Sequence, residues 1–467
     1  MKILDLSSLR LVVSAGNQDN DQWYKDGVKL IKDNLKVKPN MNTAKSAIIF
    51  VGDGMGITTV TAARILDGQM KGQTGEENVL SWEEFPWSGL SKTYAVDVQG
   101  QIRLLQRRAS YWYVVGMNDE VTSRYCATAS ADRNATSILS LAEKAGMSTG
   151  FVSTARATHA TPACSYAHSV DRHWESDADK KRIALDDASS CKDIALQLAE
   201  YSHGDGIEVI FAGGRRELMH RNQTDPEYPD KKGERLDGRD LIKEWVAKHP
   251  NSQYVWNQTG GRIDHGHHAN WAVKAINDAV AMNKAVSKAK EMTDKDETLI
   301  TVTADHSHVF TIGAYPKRGN PMFTIVREAD GELALDSDGK TYTSLGYANG
   351  KGGLNGSRPD LRGVDTTDKN YRTQATVKRS SETHGTEDVG VYADGPGAYL
   401  FHGVFEQQYV FHVMDHALCL SSSKQESCDK HVKRGGKGKP SAAFFIPVPS
   451  LYLLVILAYW ITLTVQG

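Results

Sequence analysis

The chain has 467 residues, 40% of them hydrophobic and 24% charged, with a formal net charge of −2. That length holds one large α/β domain with insertions or two or three smaller domains, and the near-neutral balance gives no electrostatic footprint for nucleic acid. Cys126, Cys164, Cys191, Cys419 and Cys428 are too few for a disulfide scaffold and too scattered for a structural zinc site, although Cys419 and Cys428 are close enough in sequence to bridge.

Residues 1–16 have a basic start and a small-residue exit, but Arg10 interrupts the short apolar run, so the signal peptide is weak or truncated. Residues 1–46 are read as this segment plus a helical arm. Residues 47–51, AIIFV, form a strand that delivers Asp53 at its carboxyl end, before a helical pattern from Ile57. Residues 150–153, 207–211 and 298–303 are further buried-strand candidates. Residues 269–292 read as a helix with Val273, Ile276, Val280 and Val286 roughly on one face.

Strands alternating with helices predict an α/β fold, a largely parallel sheet covered on both faces, with ligand-bearing loops where the strands end. Asp53, Asp305 and His306 sit at such ends. Residues 316–377 turn Gly-, Asp- and Asn-rich with short strand-like pieces and read as an inserted surface subdomain. The core is thereby split into 47–315 and 378–430.

Residues 431–467 end in an apolar stretch, 442–465. As a transmembrane helix it would contain Pro447 and Pro449, and Lys433, Arg434, Lys437 and Lys439 would hold the main body in the cytoplasm. That conflicts with glycosylation triplets at Asn134, Asn222, Asn257 and Asn355, which fit a secreted chain. The pattern fits a glycosylphosphatidylinositol signal better, with residues 435–441 approximating the small-residue and spacer region.

Three motifs concentrate metal donors: Asp264-His265-Gly266-His267-His268, Asp305-His306-Ser307-His308 and Glu382-Thr383-His384-Gly385. A lone histidine is more often a core residue. Carboxylate and imidazole together, in three loop clusters, are instead the usual donors of a catalytic zinc site with an open position.

These motifs, with GDGMG at 52–56, HATPACSYAHSVDR at 159–172, GGRIDHGHH at 260–268, TADHSH at 303–308 and ETHGTEDV at 382–389, resemble animal alkaline phosphatases, in that family's order over residues 21–428. The resemblance implies a three-layer α/β/α sandwich with a crown-like insertion. It also implies a lipid-anchored homodimer on the outer cell surface that hydrolyses small phosphate monoesters through a phosphoserine.

It further implies two zinc ions, one magnesium and a calcium. Asp264, His268 and His384 match the first zinc's ligands, while Asp305 and His306 complete the second. Asp53 resembles the carboxylate shared between the second zinc and magnesium. Thr161 matches a magnesium ligand, with His159 beside it, and Glu227 is the one recognisable calcium ligand. Arg172 matches the guanidinium that grips two phosphate oxygens, a bidentate task lysine cannot copy.

Two departures stand out. The family's nucleophile lies in a Pro-Asp-Ser-Ala-x-Thr-Ala-Thr motif soon after a stretch like TYAVDVQ at 93–99, where this chain reads GQIRLLQRRASYWYVV. Residues 101–108 can be encoded as CAG ATT CGG CTT CTA CAG CGA CGG, and reading from the third base gives Asp-Ser-Ala-Ser-Thr-Ala-Thr. The same shift turns Tyr113-Val114 into a cysteine, near where the family places the partner of Cys191. Secondly, Thr259 stands where the family has a metal-binding Glu after a buried strand, and no apolar strand precedes Asp264, so a segment is missing there.

The reading-frame hypothesis predicts that transcript sequencing finds a base gained or lost near Gly100, with the frame restored near Gly116. Clean reads encoding QIRLLQRR would overturn it and leave a diverged chain without a nucleophile.

Overall fold

The computed structural model describes residues 21–94, 114–249, 252 and 263–421. Helix α1 (Gln22–Asn34), capped by the Asp21 carboxylate on the Trp23 N–H, precedes strand β1 (Ser46–Val51) and helix α2 (Ile57–Met70). Strand β2 (Trp87–Ser91), helix α3 (Ile138–Lys144) and strand β3 (Gly150–Arg156) follow. Next come the short helices α4 (Ala160–Ala163), α5 (Asp177–Ile183) and α6 (Ile194–Ala199). Strand β4 (Val209–Gly213) is followed by α7 (Arg215–Leu218), α8 (Leu241–Lys248), α9 (Ile263–His268), α10 (Ala272–Met292) and strand β5 (Thr298–Thr303). The chain continues through β6 (Ser307–His308), β7 (Phe310–Ile312), β8 (Leu345–Gly350), β9 (Ala375–Lys378), β10 (His384–Gly385), β11 (Val389–Asp394), β12 (Gly403–Phe405) and α11 (Tyr409–Leu418).

Five strands form the main sheet in the order β1-β5-β11-β2-β12. The β1–β5 and β2–β12 pairs are parallel and β11 is antiparallel to both neighbours, so four strands share a direction and β11 alone opposes them. The sheet is therefore mixed within the expected α/β class. Every residue of β5 is buried, whereas the more apolar β1 is half-buried throughout, because among the described residues it is paired on one side only. Strands β3 and β4 pair in parallel in a separate ribbon.

Side chains alternate across β5. Ile300 and Val302 meet Val60, Ala62, Ala63 and Leu66 of α2 and Ile276, Ala279 and Val280 of α10. Leu299 meets Val410, Phe411 and Met414 of α11 on the opposite face. Helices thus cover both faces of the sheet. The buried stripe of α10 runs Ala272, Ala275, Ile276, Ala279, Val280, Asn283, Val286 at helical spacing, while Val273 is only half-buried. The predicted single helix from residue 269 starts later than expected, because Asn270 takes a left-handed conformation (φ 57°) and separates α9 from α10. Between β7 and β9 the chain carries β8, and these three strands form their own sheet.

Cys191 is disulfide-bonded to Cys126. This corrects the expectation that its partner was lost with the shifted frame near Tyr113. In the chain-entropy account, closing a loop of this sequence separation, 65 residues, stabilises the fold by about 4 kcal/mol. Cys419 is also disulfide-bonded. The acceptor asparagines of three glycosylation triplets, Asn134, Asn222 and Asn355, are exposed. Asn257, Thr259, residues 101–113 and the apolar tail lie outside the described residues.

Candidate metal centre

Strand ends and one short helix bring the donors together. Beyond β1 the turn Gly52-Asp53-Gly54-Met55-Gly56 passes so close to β6 that a Cβ on Gly54 (φ +75°) would strike the His308 ring. Glycine is required there by contact and by conformation. The Gly54 N–H donates to Asp305 Oδ1 at 3.1 Å, tying the β1 turn to the β5 turn. Strand β6 pairs with β10 so that His308 faces His384. Helix α9 places Asp264 and His268 on one face at i and i+4.

The Asp264 carboxylate is the meeting point. Its Oδ1 lies 3.0 Å from His308 Nε2, 3.3 Å from His268 Nε2 and 3.4 Å from His384 Nε2. Beside it, His306 Nε2 lies 3.3 Å from Asp53 Oδ1, 3.7 Å from Asp305 Oδ2 and 3.9 Å from Asp264 Oδ1. The Thr161 hydroxyl donates to Asp53 Oδ2 at 3.1 Å and approaches Asp305 Oδ2 at 3.4 Å. His159 Nδ1 is 3.8 Å from Asp53 Oδ2 and is buried with no hydrogen-bond partner among the described residues.

The far nitrogens of three rings are anchored. His268 Nδ1 donates to the Glu382 carbonyl and His308 Nδ1 to the Glu382 carboxylate, both at 2.6 Å, while His306 Nδ1 meets the Ser307 carbonyl at 3.0 Å. Such anchoring fixes ring orientation and turns Nε2 inward, as outer partners of metal ligands do.

Burial and three converging carboxylates dominate the electrostatics. Burial and the Asp53 charge push the Asp305 carboxyl up to about 6. Burial favours neutral Asp264, but hydrogen bonds from His308 and His384 hold its carboxyl well below the usual range. Burial and Asp264 likewise oppose ionisation of Asp53, and His306 and His159 outweigh them. His306 overcomes burial through Asp305 and Asp53 and rises to about 9, and His308 rises to about 10 through Asp264 and Glu382. Burial lowers His159 to about 4 and, with the His306 charge, holds His384 well below its usual value.

The cluster therefore draws in positive charge, and its donors are carboxylates, imidazoles and a hydroxyl without thiolate. That set fits catalytic zinc or a harder divalent cation. Asp264, His268, His308 and His384 offer one group of converging ligand atoms, and Asp53, Asp264 and His306 offer another.

Asp53, Asp264, His268, Asp305, His306 and His384 thus meet, with Thr161 and His159 at the Asp53 edge. Arg172 is half-buried, and its charge helps hold His159 neutral. Glu227 is not among them: its carboxylate pairs with Arg215 at 2.8 Å, and Arg215 also holds Asp225 at 2.6 Å. His308 and Glu382 were not assigned from sequence. The His306/His308 alternation and the Glu of ETHG were the available signals, but only the β6–β10 pairing gives them partners.

The profile of the family described as Alkaline phosphatase matches residues 44–260 and 259–420, two pieces that meet where the sequence analysis places a missing segment. The chain is similar to the tissue-nonspecific isozyme of alkaline phosphatase from Mus musculus, 38% identical over 512 residues covering 93% of this chain and 95% of that one. It is 36% identical to the Gallus gallus isozyme over 97% of this chain and 100% of that one. The 512 aligned positions exceed this chain's 467 residues, so the mouse relative carries residues without a counterpart here. Among solved structures, a TAB5 alkaline phosphatase mutant with Mg bound shares the fold at a TM-score of 0.53 and 18% identity, covering 82% of this chain and 100% of that one.

Without metal, the His306 and His308 interactions contribute stability that is complete below the unfolded imidazole value of 6.5 and is lost as pH rises through about 9 and about 10. The depressed carboxylates Asp53 and Asp264 lose their contribution only on the acid side. Thermal scans in chelator are expected to show Tm falling from pH 7 to pH 10, a slope that added zinc largely removes. A flat profile in chelator would contradict this account.

Proposed function

Since the chain belongs to the alkaline phosphatase family, enzymes that hydrolyse phosphate monoesters, we propose that, once its nucleophile segment is read in the restored frame, it acts on small phosphate monoesters at a centre of two zinc ions and one magnesium ion. The observation that carries this reading is the convergence of three imidazoles on Asp264 beside Asp53, Asp305 and His306. Asp264, His268 and His384 would hold one zinc, and Asp53, Asp305 and His306 the other. Thr161 and Asp53 would hold magnesium, with His159 beside them. When bound, such ions supply Lewis-acid charge at the phosphoryl oxygens and lower the pKa of an attacking hydroxyl or water.

The chain's own residues do the remaining work. Arg172 binds two non-bridging phosphate oxygens with its planar fork and so orients the ester for in-line attack. His308, bonded to Asp264 and Glu382, holds the Asp264 carboxylate in place. The attacking serine belongs to the segment whose reading frame is in question. Glu227 keeps a place as a calcium ligand only if it leaves Arg215.

We place the protein on the outer cell surface through a glycosylphosphatidylinositol anchor. The Cys126–Cys191 disulfide supports this, because such bonds persist in oxidising compartments, and the exposed acceptor asparagines of the glycosylation triplets support it too. A homodimer is supported by α1, which buries no residue and leaves Trp23, Leu30 and Ile31 more than 60% exposed.

Two measurements test the reading. The chain as written should hydrolyse p-nitrophenyl phosphate at background rates in zinc and magnesium at alkaline pH. Replacing residues 102–108 by Asp-Ser-Ala-Ser-Thr-Ala-Thr should raise kcat by at least about a hundredfold. A folded, metal-loaded replacement that stays inactive would instead indicate a binding module. On cells, phosphatidylinositol-specific phospholipase C should release the protein, and retention would exclude the anchor.

A further inference from the structure

Helix α9 is six residues long, too short to hold its own orientation in water, yet it presents both Asp264 and His268 to the cluster. At about 100° per residue, Asp264 and His268 share a face, while His267 and His265 lie on opposite flanks of it. A turn of about 10° around the helix axis would move a donor atom at a radius of about 6 Å by about 1 Å. That exceeds the tolerance of a binding constellation, about 0.5 Å. Something must set the rotation of α9, and its backbone alone cannot.

His267 is fully buried, and both its ring nitrogens are engaged. Nε2 lies 3.0 Å from the Thr59 hydroxyl on α2, and Nδ1 lies 2.8 Å from the Tyr347 hydroxyl on β8. The ring also packs on His308, Phe310 and Tyr347, with centroids 4.8, 5.0 and 5.8 Å away. Behind it, Gly266 lies so close to α10 that a Cβ there would sit 2.9 Å from the Ala275 backbone nitrogen. This histidine of the DHGHH run is therefore held between the helical layer and the β7–β8–β9 sheet.

We propose that the Thr59–His267–Tyr347 chain is a positioning element that fixes the rotation of α9. Through Tyr347 it makes metal affinity depend on docking of the β7–β8–β9 sheet. Glu382 holds the His268 end of α9 through bonds to its carbonyl and ring, and the two hydroxyls grip His267 from opposite directions to set the rotation of the rest, so removing either loosens the placement of the Asp264 and His268 donors. The proposal rests on the reading of the cluster as a metal centre, and the test separates the two.

Cobalt(II), whose visible absorption reports ligand number and geometry, is titrated into the chelator-stripped full-length chain. A parent chain that fails to bind cobalt overturns the metal reading and this proposal with it. Where the parent binds, Tyr347→Phe keeps the ring and removes one hydroxyl. It should weaken cobalt binding roughly tenfold and change the absorption band while the circular dichroism spectrum stays the same. Thr59→Val should do likewise from the other side, and Thr59→Ser, which keeps a hydroxyl, should retain the parent's affinity and band. If Tyr347→Phe does not fold, the two Thr59 variants decide. Parent-like cobalt affinity and absorption in the folded hydroxyl-deleting variants would overturn the proposal.

Discussion

Three carboxylates, Asp53, Asp264 and Asp305, are crowded into one buried cluster, and their mutual repulsion is the constraint the surrounding structure answers. An isolated buried carboxylate is costly, and several together are tolerated only beside positive charge. The protein brings in imidazoles: Asp264 faces His268, His308 and His384, and Asp53 faces His306. Even so, burial and the Asp53 charge raise the Asp305 carboxyl to about 6. Asp305 is the least compensated of the three, and a divalent cation would complete the arrangement.

The fold serves this cluster by bringing chain ends close. Parallel pairing of β1 with β5 sets the Asp53 and Asp305 turns side by side, and the bond from Gly54 N–H to Asp305 locks them. The two-residue pairing of β6 with β10 does the same for His308 and His384. Side chains at Gly54 or Gly56 would collide with His308 or Ser307, so the close approach depends on bare backbone at both places. Outer anchors complete the geometry. Glu382 alone holds two rings, His268 through its carbonyl and His308 through its carboxylate.

The short-range signals were legible because they are local. The apolar run at 47–51, the burial of residues 298–303 and the donor-rich motifs each follow from neighbouring residues, and strands β1 and β5 appear within a residue of their predicted ends. The direction of β11, the break at Asn270 and the partner of Cys191 were not legible. Each depends on where distant segments dock. Cys126 and Cys191 are 65 residues apart, and no local pattern marks them as a pair. Glu382 and His308 stood inside quoted motifs, but a carboxylate becomes an imidazole anchor only when pairing of β6 with β10 brings it within bonding distance.

By itself, the sequence determined the donor types, their order along the chain and the strand ends that carry them, since these are written in adjacent residues. Only the tertiary structure decided which donors share an oxygen, which histidine is a buried pin and that Glu227 is paired with Arg215. Those outcomes depend on angstrom-scale separations between segments hundreds of residues apart, which only the packing of sheet and helices fixes.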